Sequence, residues 1–165
     1  KVKSLLNQSK LDSNWYIHDD IGYNYRLNNI NAAIGYAQLK RMKKIIDKRK
    51  KINNLYKKHF REIGDNFSIL ENPSYSESNY WLTVVIIKNV KKYNFINFVN
   101  KTIKSGVNIR PLWKLNHLHP HTNHFERYNI NSAKAFQYKA ICLPSSYSLT
   151  GKDIKYITGF FKCLN

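Results

Sequence analysis

Between positions 30 and 56 apolar residues fall at Ile30, Ala33, Ile34 and Ala37, then Met42, Ile45 and Ile46, then Ile52, Leu55 and Tyr56. Spacings of three and four put such residues in one stripe along a helix. Asn28 or Asn29 can cap its start, because a side-chain amide oxygen accepts a backbone N–H of the first turn. Gly64 is the candidate stop, just beyond the last periodic positions near Phe60. A helix of roughly thirty residues is about 45 Å long. That is long for a chain of 165 residues, and predicts a helix that packs beyond its own domain or links two.

The flanking pattern is shorter-ranged. Residues 2–11 carry Val2, Leu5 and Leu6 ahead of Gln8, Ser9 and Lys10, as in the tail of a helix. Residues 11–20 are polar and aromatic, with Trp15, Tyr16 and His18, and read as a loop leading to a turn at Gly22. Residues 65–78 hold Pro73, several Ser and Asn, and no period, which reads as a loop and the candidate domain boundary. The run Tyr80-Trp81-Leu82-Thr83-Val84-Val85-Ile86-Ile87 is a buried strand by its β-branched and aromatic content. Phe95, Ile96, Val99 and Ile103 space as a helix that Gly106 stops, and 107–109 is a short strand running into Arg110-Pro111-Leu112-Trp113. A loop bears His117, His119, His121 and His124, followed by a short helix at 132–137 and a strand at 138–143 that Pro144 ends. Thr150-Gly151-Lys152-Asp153 opens a last helix carrying Ile154, Ile157, Phe160 and Phe161. Strand, helix, strand, loop, strand, helix predicts a small α/β layer with one helical face.

Charge adds a question about partners. Lys and Arg total 28 against 10 Asp and Glu, a formal net charge of +18. Nucleic acid, an acidic membrane surface and a phosphorylated small molecule all fit such a balance. Lys, Asn, Ile and Tyr are abundant together, however, as in a codon bias that adds lysines without selecting for a partner. The basic run Lys40, Arg41, Lys43, Lys44, Lys48, Arg49, Lys50 and Lys51 therefore reads either as a nucleic-acid-binding surface or as the solvated face of the helix. It lacks the interleaved aromatics of a single-strand platform. Cys142 and Cys163 lie far apart without metal-type spacing and read as free thiols of a reducing, cytoplasmic compartment. The longest apolar run, 82–87, is strand-sized, so no membrane partner is expected. A start at Lys1-Val2-Lys3-Ser4, in what reads as mid-helix, is expected of a fragment.

Candidate chemistry centres on Gly22-Tyr23-Asn24-Tyr25-Arg26-Leu27-Asn28-Asn29-Ile30. Gly22 permits backbone placements closed to residues with a Cβ. The Asn24 amide can donate and accept, and the Arg26 guanidinium is a rigid fork suited to phosphate or carboxylate. At a helix start such a turn reads either as an anion site or as an ordinary Asn-capped turn. The histidines at 117, 119, 121 and 124 have no standard zinc spacing and no nearby Cys, so no metal is expected there. No Gly-x-Ser-x-Gly turn and no Gly-rich phosphate loop occurs.

His18-Asp19-Asp20-Ile21-Gly22-Tyr23-Asn24-Tyr25-Arg26-Leu27, with Asn29-Ile30-Asn31-Ala32-Ala33-Ile34-Gly35 and Gln38-Leu39, resembles the DegT/DnrJ/StrS-type sugar aminotransferases, whose pattern is Gly-x-Asn-x-Arg before an Ala-Ala helix. Arg110-Pro111-Leu112-Trp113-Lys114 with His117 and Pro120 resembles a segment of members acting on UDP-linked amino-dideoxy sugars, and Leu143-Pro144-Ser145-Ser146 with Asp153-Ile154 fits the family's C-terminal end. The resemblance implies an α/β fold: the C-terminal part of the aspartate-aminotransferase-like (fold type I) fold, a long helix plus a small α/β domain. It implies that 1–64 ends the large cofactor domain and that 65–165 forms the small domain.

It further implies pyridoxal 5'-phosphate as cofactor, and amino transfer from glutamate to a nucleotide-linked 4-keto-6-deoxy sugar for surface polysaccharide or glycan synthesis. Asn24 and Arg26 match cofactor-contact positions, Asn24 reaching the cofactor phosphate of the other subunit of a homodimer. His18, Arg110 and His117 match positions near the nucleotide-sugar pocket. At His119 relatives often carry Gln, a departure at a sugar contact. The Schiff-base lysine is expected upstream of Lys1, since Lys1, Lys3 and Lys10 fall too late to replace it, so no catalytic residue is expected in this chain and no activity from it alone. The other reading is a basic nucleic-acid-binding module using the Lys/Arg-rich helix.

Overall fold

The structure, a computed structural model, describes residues 1–12, 14–24 and 27–164. Helix α1 (Val2–Leu6) leads to the strands β1 (Lys10–Asp12) and β2 (Ile17–His18). Helices α2 (Asn29–Leu39) and α3 (Met42–Ile63) follow, then β3 (Phe67–Ile69), β4 (Thr83–Ile87), α4 (Lys92–Lys104) and β5 (Arg110–Pro111). A 3₁₀ turn (Asn116–Leu118), α5 (Asn131–Phe136), β6 (Ala140–Leu143) and α6 (Gly151–Gly159) complete the order, with a 3₁₀ turn at Phe160–Leu164. No helix among the described residues is long and apolar enough to cross a membrane.

The chain forms two compact units, Lys1–Lys40 with Pro111–Gln137, and Arg41–Arg110 with Tyr138–Asn165. Each unit is built from two stretches of chain, with one change of unit at Lys40/Arg41. The single long helix expected from 28 to about 64 is instead two helices. The signal was present: the apolar stripe steps by five from Ala37 to Met42, which at 3.6 residues per turn rotates it by about 140°. Asn28 caps α2 by accepting from the Asn31 N–H at 2.9 Å, and Gly64 (φ 146°) ends α3, both at the expected places.

The second unit holds the core. Its sheet runs β3-β4-β6-β5. β3 and β4 pair antiparallel (Phe67 opposite Ile87), as do β4 and β6 (Val85 opposite Ile141). β6 is buried along its whole length, whereas β4 buries Thr83, Val85 and Ile87 and leaves Val84 and Ile86 half-exposed. The strand expected from Tyr80 begins only at Thr83, because Tyr80 takes a left-handed φ of 51°. β3 lies inside the expected 65–78 loop; three residues are too few to show a period. The extended residues after Gly106 pair at 110–111 rather than 107–109. Ile52, Tyr56 and Phe60 give α3 its buried face. Phe161 sets its ring edge-on to Phe60, Phe98 and Phe67, at 5.0, 4.8 and 6.0 Å between centroids. Such pairs add to the area each ring buries. The Tyr56 hydroxyl donates to the Pro144 carbonyl at 2.9 Å, and burial pushes its pKa up. Thr150 and Asp153 close a reciprocal capping box on α6. Cys142 is buried and Cys163 exposed, both free.

The first unit is built differently. β1 and β2 pair as a small irregular hairpin where a loop was expected, since strands of three and two residues carry no pattern. The Asp12 carboxylate accepts the Asn14 and Trp15 N–H groups at 2.7 and 2.9 Å, closing the turn. Gln8 and Ser9 are both left-handed, with φ of 63° and 50°. Every residue of α2 is exposed, Ile30 and Ile34 at 73% and 52%.

Candidate functional site

The Gly22 segment is anchored on the end of α1 and the residues after it. The Tyr23 N–H donates to the Leu5 carbonyl at 2.7 Å, and the Asp19 N–H to the Ser9 carbonyl at 3.1 Å. A Cβ on Gly22 would sit 2.5 Å from the Gln8 carbonyl carbon and 2.5 Å from the Ser9 nitrogen. The glycine expected for its torsional freedom is thus required for close approach; its φ is outside the left-handed range. Two residues later Asn24 is exposed, and its side chain makes no hydrogen bond among the described residues. An amide held out on an anchored strap fits a phosphate oxygen or another polar group of a cofactor. Arg26 lies outside the described residues.

Beside the strap is a cavity of about 430 Å³ with His18, His119, His121, Lys114, Tyr16 and Trp113 among its lining. β2 places His18, whose Nδ1 is 2.7 Å from the Gln8 carbonyl oxygen. A carbonyl only accepts, so Nδ1 carries the proton and a neutral His18 keeps Nε2 as acceptor. His119 stands edge-on to His18 at 5.6 Å, and His121 is tilted against His119 at 5.6 Å. Tyr16 and Trp113 stack obliquely at 5.0 Å. Burial first, then the Lys114 charge, holds the His119 pKa below its ordinary value; the neighbouring His18 and His121 push the same way, and a Lys114 backbone hydrogen bond opposes them.

Of the four singled-out residues that the structure describes, His18 alone lines this cavity. Asn24 belongs to the same unit but is not in the lining. His117 sits half-buried on the 3₁₀ turn, where burial, Arg127 and Lys134 lower its pKa, and it too is outside the lining. Arg110 opens β5 in the second unit. The lining also holds His121 and Lys114, which the sequence does not single out, and His119, a departure from its relatives, lies at the centre of the imidazole cluster. His119 opens a turn whose Thr122 N–H returns to its carbonyl at 3.1 Å, a geometry that no spacing in the sequence signals, while His117 sits on the preceding 3₁₀ turn. Among the described residues no group of three or more His, Cys, Asp or Glu is placed to hold a metal ion.

A profile of the DegT/DnrJ/EryC1/StrS aminotransferase family matches residues 1–162. The chain belongs to that family. EpsN of Bacillus subtilis (strain 168), provisionally named a pyridoxal phosphate-dependent aminotransferase, is 31% identical over 157 residues, 91% of this chain and 39% of EpsN. GDP-perosamine synthase of Vibrio cholerae is 27% identical over 169 residues, 99% of this chain and 46% of that enzyme. Helicobacter pylori PseC, an aminotransferase involved in the biosynthesis of pseudoaminic acid, superposes with a TM-score of 0.70 at 21% identity, over 98% of this chain and 45% of PseC. The fold of this family member is that of the matching part of the fold type I sugar aminotransferases. The chain spans less than half the length of the curated relatives it matches.

Proposed function

We propose that the chain is the C-terminal portion of a pyridoxal-phosphate-dependent aminotransferase. The complete enzyme would move an amino group from glutamate to a nucleotide-linked 4-keto-6-deoxy sugar, for a surface polysaccharide or glycan precursor. The family match along residues 1–162 carries this reading. When bound, the cofactor supplies an electron sink at the carbon that loses or gains the amino group.

This chain's residues supply binding and orientation. Asn24, with Arg26 next but one in sequence, would hold the cofactor phosphate of a second subunit through an exposed amide on the Gly22 strap. His18, its tautomer fixed by the Gln8 carbonyl, would accept from the substrate at Nε2. Arg110 would offer its fork to a phosphate or carboxylate, and His117 would hold a neutral ring near neutral pH. The lysine that binds the cofactor covalently would lie outside this chain, leaving it inactive alone.

Purified chain mixed with pyridoxal phosphate should develop no lysine-dependent absorbance band. A stoichiometric band, abolished by one Lys→Ala substitution, would overturn the inactive reading. In the complete enzyme, Asn24→Ala should weaken cofactor retention by about tenfold, the loss of one charge-assisted hydrogen bond.

A further inference from the structure

Helix α3 carries its charge in rows. At about 3.6 residues per turn, Lys43, Lys50 and Arg61 lie within about 20° of one another around the axis, and Lys44, Lys51 and Lys58 within about 40°. The two rows share one arc of about 120° and run about 27 Å from Lys43 to Arg61. All six side chains are exposed, and none is in an ion pair among the described residues; the pairs on α3 join Lys57 to Glu71 and His59 to Glu62. The other residues on the arc are Asp47, Asn54 and Glu62, so every position on it is polar and most of its charge is unbalanced. Ile52, Tyr56 and Phe60 take the opposite side, in the core. A cavity of about 470 Å³ with Asn54, Lys57, Lys58, Arg61 and Glu62 in its lining indents the C-terminal half of the stripe.

The chemistry of the array selects among polyanions. Cations repeating along a straight line repel one another, and a partner with its own line of negative charge relieves that. A nucleic-acid duplex carries one charge per about 1.7 Å of axis, so a stripe of about 27 Å faces about eight base pairs. Single strands are held by stacking faces as well as by charge, and the arc has no aromatic residue. A bilayer gains from apolar side chains that enter its acyl boundary, and the arc offers none. Ammonium groups without a base-reading side chain among them make phosphate contacts, which position a duplex and carry no sequence information.

The geometry points to this face of α3 as a docking surface for the phosphate backbone of double-stranded nucleic acid, bound without regard to sequence. The stripe belongs to the second unit. None of its residues lines the histidine cavity or lies on the Gly22 strap, so they can be changed without altering either.

The full chain is titrated by fluorescence anisotropy against a random-sequence DNA duplex of about 24 base pairs, at salt from about 50 to about 300 mM. With about five phosphates neutralised, log affinity should fall against log salt with a slope of about −4 to −5. Lys43→Gln combined with Lys50→Gln should make the slope shallower by about two and weaken binding by at least about tenfold at about 100 mM salt. Lys101→Gln combined with Lys104→Gln, exposed on α4, removes the same charge elsewhere in the unit and should change affinity by less than about threefold. Glutamine keeps the helix propensity of lysine, so both pairs should fold, which circular dichroism checks. Negligible binding at about 50 mM salt overturns the assignment. An equal loss from both pairs also overturns it, because the binding would then follow net charge and not the stripe. A single strand of the same length bound as tightly as the duplex does the same. Vesicles containing phosphatidylglycerol that bind with the Lys43 and Lys50 dependence, while the duplex does not, would give the face to a membrane instead.

Discussion

The two units bury opposite kinds of side chain. Each of the buried apolar side chains from Ile52 to Phe161 that make up the core lies in the second unit, Arg41–Arg110 with Tyr138–Asn165. The first unit, Pro111 at its edge aside, buries Ser9 and His119, both polar and both with a buried atom lacking a partner. Large apolar residues are exposed on α2 and just before it, Leu27 at 80% and Ile30 at 73%. The second unit is thus held by area removed from water. The first is held by backbone hydrogen bonds, left-handed residues and the close approach of Gly22. Few buried apolar contacts are a mark of low local stability. The site and the core therefore answer to different perturbations.

The hardest blow to that division is aimed at the core. Phe161 is fully buried against Phe60, Phe67 and Phe98. Phe161→Ala should cost the second unit about 3–5 kcal/mol in denaturant unfolding. A loss under about 1 kcal/mol would mean that the aromatic cluster does not organise the unit. The equivalent test of the first unit removes no apolar area at all. In Gly22→Ala the added methyl meets backbone atoms of Gln8 and Ser9, which cannot rotate away. A cost of about 1–3 kcal/mol is expected, read as faster hydrogen exchange at the Tyr23 and Asp19 amides. Unchanged exchange would show that the strap does not depend on this approach.

The contrast also explains what was legible in the sequence. Ends of elements were readable because their chemistry is local: Asn28 caps α2, Gly64 stops α3, and Thr150 with Asp153 starts α6. The core strands were readable because Thr83–Ile87 and Ala140–Leu143 are apolar at every position but Thr83. The pieces without a period were not, namely the hairpin at Lys10–His18 and β3 at Phe67–Ile69. The basic run from Lys43 to Lys51 is mostly exposed on α3, ahead of the buried Ile52, as both of its readings require. The family was legible because its motif is contiguous. The cavity was not, because it brings His18 to His119 across about a hundred residues of chain that sequence spacing does not encode.

A smaller effect probes one hydrogen bond. Tyr56→Phe keeps the buried ring and removes the donor to the Pro144 carbonyl at 2.9 Å. A loss of about 1 kcal/mol is expected, because the carbonyl is left short of a partner. No loss would place the holding power of α3 wholly in its apolar face.

The smallest effect, and the one that separates the units most directly, is the sign of their response to pH. In the first unit His119 has its pKa lowered, so the folded state prefers the neutral ring. The unfolded ring charges first, near an ordinary value of about 6.5, and stability is lost as pH falls below that. In the second unit burial pushes the Cys142 thiol up to about 11. There the unfolded thiol ionises first, so stability is full below about pH 9 and declines as pH rises past it. Mild acid should therefore loosen the first unit and alkali the second. At pH 8 a thiol reagent should label the exposed Cys163 at once and leave Cys142 protected. Lowering the pH to about 5, then labelling after a return to pH 8, should keep Cys142 protected while exchange at the Asp19 amide has quickened. If acid exposes Cys142 together with that amide, the two units open as one and the contrast between them fails.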